Sequence, residues 1–171
     1  MGMGFKTGCC ALALLWAAGA WAEDPCDGFR WDVKHERALF AMQPHTLPAG
    51  HAVKSAPRLR AAELYELKLT PDSQVSFVVQ PGRKTSKPDS RAGLVRFEIR
   101  AAGLYRVSVD QPAWVDAVVD GKSINSKDFQ GQRGCSTPHK VVEFELPASA
   151  NLVLQISNAS DAARVTLTRA P

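Results

Sequence analysis

What this chain lacks narrows it first. It has no apolar run of about 18 or more residues, so nothing reads as a membrane-spanning helix. There is no Gly-x-Ser-x-Gly nucleophile turn and no glycine-rich phosphate cradle. Nucleophilic and nucleotide chemistry therefore have no signature here. Charge of one sign is also scarce: 21 basic against 17 acidic residues leave +4 on 171 residues, far from a nucleic-acid-binding balance. No repeat or low-complexity stretch suggests a solenoid or a disordered chain. The four histidines, His35, His45, His51 and His139, show none of the close spacings of a zinc site, and no cofactor is expected. Only a fold that gathered two of them with a carboxylate would make an iron site.

What is present begins with an address. Lys6, an apolar stretch at residues 9–18 and Ala20-Trp21-Ala22 together fit a secretory leader over residues 1–22, with the mature chain starting at Glu23. A lipoprotein leader fits less well, because Cys9 and Cys10 open the apolar stretch instead of closing it. Removing 22 of 171 residues leaves 149, and losing Lys6 lowers the charge from +4 to +3. That length suits one domain, expected as residues 23–60 for a helix and connector and residues 61–171 for a β-sandwich. The product is expected to be periplasmic or secreted.

Of four cysteines, Cys26 and Cys135 remain after cleavage. In an oxidising compartment two cysteines read as one disulfide, closing a loop of about 110 residues. The competing reading is a reactive or metal-bound pair, in which Cys135 would have to be free to act with His139. Asp110, Asp116, Asp120 and Asp128 read as turn residues. A carboxylate pair for glycoside hydrolysis is a matter of spacing in three dimensions that the chain order does not reveal.

A single helix is expected over residues 32–42, with Asp32 as N-cap, Val33, Leu39, Phe40 and Met42 as its apolar face, and Pro44 as its stop. Proline and glycine at positions 44, 48, 50 and 57 mark residues 43–60 as a connector. Strands follow by alternation. Tyr65, Leu67 and Leu69 pair as a hairpin with Val75, Phe77 and Val79. Val95, Phe97 and Ile99 turn through Ala101-Ala102-Gly103 into Tyr105, Val107 and Val109, again as a hairpin. Residues 113–119 are apolar on both faces apart from Asp116, and the second face is expected to lie under the helix. Asp120-Gly121 suits a type I′ turn. Val142, Phe144 and Leu146, then Leu152, Leu154 and Ile156, then Val165 and Leu167 complete an antiparallel β-sandwich, jelly-roll or immunoglobulin-like, of eight or nine strands.

Two features point to binding. The loop at residues 81–91 holds Arg83, Lys84, Lys87 and Arg91, a cluster able to meet phosphate or an acidic glycan or simply to lie in solvent. Trp114 and Trp31, with Tyr65 and Tyr105, would form a sugar-stacking platform if Trp114 is exposed, whereas a core Trp114 would be packing alone. Asn158-Ala159-Ser160 matches a glycosylation acceptor and reads here as a turn.

The stretches at residues 26–40, 126–135 and 138–146 together resemble a family of small secreted proteobacterial proteins of uncharacterised function, over nearly the whole mature chain. Residues 99–109 are similar to the strand-turn-strand of pre-peptidase C-terminal-type sandwich domains. Members of the first family are sometimes labelled homogentisate 1,2-dioxygenase. That enzyme family is a larger cytosolic cupin holding iron with two histidines and a glutamate; no stretch here matches its motif, so the likeness implies no catalytic or metal-binding residue. The expectation is a non-catalytic binding or accessory module of the cell envelope, with an envelope protein or glycan as partner. A metal-dependent enzyme is the alternative.

Overall fold

The computed structural model describes residues 1–2, 24–83 and 88–171. The expected leader, but for its first two residues, and Lys84 and Lys87 lie outside the described residues. The chain is mainly β, and its strands form two facing sheets. The first sheet orders β1 (His45–Pro48), β3 (Tyr65–Lys68), β12 (Ala162–Arg169), β6 (Gly103–Val109), β10 (Lys140–Leu146) and β9 (Ser126–Gly131). The second orders β2 (Arg58–Leu59), β5 (Arg91–Ile99), β11 (Ala150–Ala159), β7 (Trp114–Val119) and β8 (Lys122–Ile124), with β4 (Thr70–Pro71) also on β5. Helix α1 (Lys34–Phe40) precedes them.

The core lies between the sheets, filled by the alternating residues expected to point inward. Val95, Phe97 and Ile99 from β5, Tyr105, Val107 and Val109 from β6, and Leu152, Leu154 and Ile156 from β11 belong to one buried cluster. Full burial of each large aliphatic side chain contributes roughly 1.5–3 kcal/mol, which makes this cluster the main source of stability. Asp120 and Gly121, both at positive φ (49° and 74°), form the expected turn between β7 and β8.

Several expectations are corrected. β5 and β6 are not a hairpin: β5 pairs β11 in the second sheet, while β6 pairs β10 and β12 in the first. They share a buried side because they face each other across the core. The sandwich is mixed, since β1 runs parallel to β3 and β2 parallel to β5, and it has twelve strands among the described residues. Both parallel strands come from the supposed connector. They are short and lie at sheet edges, where Pro48 can be tolerated without an N–H to give.

Residues 75–79 form no strand. They lie over the outer face of the second sheet, where the Gln155 side chain does the work of a neighbouring strand. Its Oε1 accepts from Val78 N (2.6 Å) and Val79 N (3.2 Å), and its Nε2 donates to Val79 O (3.0 Å). This segment, not the helix, covers the second face of β7: Gly82 N–H points to both Asp116 carboxylate oxygens at 3.4 Å.

Helix α1 instead packs on the first sheet beside β12. It is shorter than expected, with Val33 at the N-cap and Asp32 one residue earlier, accepting from Lys34 N (2.9 Å). Val33, Leu39 and Phe40 are buried, while Met42 lies beyond the helix and is exposed. The helix is held to the sheet by polar groups as well as apolar ones. Thr168 Oγ1 donates to Glu36 Oε1 (2.7 Å), and Arg106 lies 3.8 Å from the same oxygen. Cys26 and Cys135 form a disulfide, with Cα atoms 5.0 Å apart, that fastens the segment before α1 to the loop joining β9 and β10.

Candidate functional site

The strand starts of β7 and β10, edge strand β9 and the turn between β11 and β12 meet around a cleft of about 660 Å³. β7 brings Trp114, β9 brings Phe129, β10 brings Lys140, and Arg83 reaches in from the end of the segment draped over the second sheet. Phe129 is 60% exposed, an unusual position for a phenylalanine on an otherwise polar strand. Trp114 is half-buried on the cleft wall, with its indole Nε1 donating to Asp116 Oδ1 (2.9 Å).

Lys140 lies between the two rings. Its Nζ is 5.2 Å from the Trp114 centroid and 5.8 Å from that of Phe129, within cation–π range of both. It donates to Ala113 O at 3.0 Å. Burial, reinforced by the Arg83 charge, holds the ammonium below the ordinary lysine value, with Asp116 pulling the other way. Burial likewise pushes the Asp116 carboxyl above the ordinary aspartate value, opposed by the Trp114 and Gly82 N–H groups and by Lys140. Lys140 and Asp116 are thus two partly buried ionisable groups held beside the cleft.

Gly82 lies close against Trp114 and Asp116. A Cβ there would stand 3.1 Å from Cζ2 and 3.2 Å from Nε1 of Trp114, and 3.2 Å from Asp116 Oδ1. Gly82→Val is therefore expected to push the segment off the Trp114 edge and to cost about 1–3 kcal/mol as an overpacked contact. Urea unfolding monitored by tryptophan fluorescence measures it; an unchanged midpoint would mean that the segment yields freely.

Of the residues singled out in the sequence, Trp114 and Arg83 come together in this cleft. Arg91 lies at the start of β5, paired with Asp161 at 3.0 Å. Trp31 sits away from the cleft, with the Arg30 and Arg106 guanidiniums 5.3 and 5.4 Å from its ring. Tyr65 and Tyr105 are core residues. The structure thus assembles no four-aromatic platform, and the aromatic that joins Trp114 is Phe129. Lys140 and Phe129 escaped sequence reading, although a lone aromatic within Ser-Lys-Asp-Phe-Gln-Gly was a visible signal. The histidines stand on separate elements, and among the described residues no group of three or more His, Cys, Asp or Glu side chains is placed to hold a metal. No helix among the described residues is long and apolar enough to cross a membrane. No family model matches this chain, and no curated protein matches it significantly, so the site is read from its geometry alone.

Proposed function

We propose that this protein is a non-catalytic binding module of the bacterial cell envelope, working in the periplasm or outside the cell and taking a glycan in the cleft between Trp114 and Phe129. The observation that carries this reading is Phe129: an exposed ring at the mouth of a cleft whose opposite wall is a second aromatic. An exposed aromatic face beside polar groups is the usual means of holding a sugar ring. The disulfide supports an oxidising compartment, as do the leader-like first 22 residues and the resemblance to small secreted proteins.

A protein ligand adding a strand to a sheet edge is less favoured. β1 ends in Pro48 and β2 has two residues. β9 is clasped by the N-terminal segment: Gln130 Oε1 accepts from Arg30 N at 2.9 Å, Gln130 Nε2 donates to Gly28 O at 2.9 Å, and Gln132 also donates to Gly28 O. β1 and β2 thus offer little backbone for pairing, and β9 has the N-terminal segment beside it through the Gln130 side chain.

The test is binding of the mature protein to a panel of immobilised envelope saccharides, with Phe129→Ala alongside. The exposed side chain contributes little to folding, so the variant should unfold within about 0.5 kcal/mol of wild type. Its saccharide binding should fall roughly tenfold, the loss of one stacking contact. Saccharide binding that is indifferent to Phe129, or no saccharide binding at all, would sink the reading.

A further inference from the structure

We propose that the cleft selects an acidic saccharide, with Lys140 and Arg83 taking the carboxylate of a sugar whose ring lies against Phe129. This rests on the glycan reading above and adds the chemical class of the ligand.

The carrying observation is how the cations of this protein are partnered. Arg106 pairs with Glu143 at 2.9 Å, Arg164 with Asp110 at 3.0 Å, Arg37 with Asp24 at 2.7 Å and Arg30 with Asp128 at 3.0 Å. Of the cations that are not exposed, only Arg96, which donates to Ala56 O at 2.9 Å, and Lys140 form no ion pair with a described residue, and Arg83 is one of several exposed cations that form none. An ammonium has three donors, and Lys140 gives one to Ala113 O. Asp116, whose charge acts on Lys140, already accepts from Trp114 Nε1 and faces Gly82 N–H, and forms no ion pair with Lys140.

Desolvating an ammonium without a counter-charge is costly, and a second cation close by adds to that cost. Burial and Arg83 together disfavour the charged lysine in the free protein. A ligand carboxylate between Lys140 and Arg83 would remove that penalty on binding, and strained electrostatics of this kind collect at functional sites. Two acidic residues line the same cleft. Asp161 is paired with Arg91 at 3.0 Å, and Asp89 is exposed. Ser90 also lines the cleft, and its buried hydroxyl has no partner among the described residues.

Trigalacturonic acid and its trimethyl ester carry the same rings with and without charge, and calorimetric titration compares them directly. The acid is expected to bind roughly ten- to a hundredfold tighter than the ester, the range of one or two charge-assisted hydrogen bonds. That preference should shrink as salt is raised from 0.05 to about 0.5 M. Lys140→Met should abolish it, and Arg83→Gln, at an exposed side chain, should reduce it several-fold in a protein that unfolds as wild type does. The second variant keeps the test decisive if the first fails to fold.

Equal affinity for acid and ester overturns the proposal, as does a preference that survives both substitutions. Ester binding that depends on Phe129 without any gain from charge overturns the acidic assignment and leaves the glycan reading standing. Binding of neither trisaccharide overturns the acidic assignment, and the envelope saccharide panel then judges the glycan reading separately. A triglutamate peptide bound as tightly as the sugar acid would overturn the saccharide part.

Discussion

Replacing Cys26 and Cys135 by serine is expected to remove about 4–5 kcal/mol of stability, the chain-entropy value for a closed loop on the order of 100 residues. The sequence separation of 109 makes this one of the longest-range restraints in the fold. Against a total of roughly 5–15 kcal/mol for a domain of this kind, the loss is a large share. Of the segment's ion pairs, Arg30 to Asp128 at 3.0 Å reaches β9, whereas Arg37 to Asp24 at 2.7 Å and Arg37 to Asp27 at 2.6 Å lie within the segment. All three are well exposed on at least one partner, and such pairs contribute roughly 0–1 kcal/mol each. Guanidinium unfolding of the mature double-serine variant should show a much lower midpoint. An unfolding free energy within about 1 kcal/mol of wild type would mean that the buried contacts of α1 hold the segment without the cross-link.

The sequence carries the faces of this fold more clearly than its neighbours. Alternation in residues 94–109 identifies which side chains are buried, because a strand's period of two is set by local geometry. It does not say whether two strands lie side by side or across the core, since both arrangements bury the same residues. That is why β5 and β6 read as a hairpin and are found in opposite sheets. Asp120-Gly121 was legible because a type I′ turn needs positive φ at both positions, a demand few residue pairs meet. The disulfide was legible by count alone. The cleft was half legible: Trp114 and Arg83 stand out by type, whereas Lys140 matters only through an environment made by β7, β9 and the segment ending at Gly82. Gln155, a polar residue fully buried in an apolar strand, was the one signal that residues 75–79 are held by a side chain instead of by strand pairing.

Arg106→Met is expected to cost about 3–5 kcal/mol, the usual result of leaving buried carboxylates without their cation. Read by alternation, Arg106 and Glu143 belong to the polar outer faces of β6 and β10; the register places them opposite each other, and Trp31, Asp32 and Glu36 lie against Arg106. Arg106 is 5% exposed, Glu143 6% and Glu36 2%, so three charges share a site with almost no water. Arg106 Nε donates to Glu143 Oε1 (2.9 Å), and its Nη1 donates to Asp32 O (2.9 Å) and lies 3.8 Å from Glu36 Oε1. The Trp31 ring lies 5.4 Å from the guanidinium. One cation serves two carboxylates, and Glu36 Oε2 has no hydrogen-bond partner among the described residues. The cluster is therefore a weak contributor as a whole and a severe liability when broken, because the cost lies in the orphaned charges. Adding Glu36→Gln and Glu143→Gln to Arg106→Met should accordingly recover most of the loss, with a coupling of roughly 0.5–3 kcal/mol or more in a mutant cycle. If the triple variant is no more stable than Arg106→Met, the loss comes from the packing of Trp31 and the Asp32 carbonyl on the arginine. In that case α1 is held by shape and not by charge.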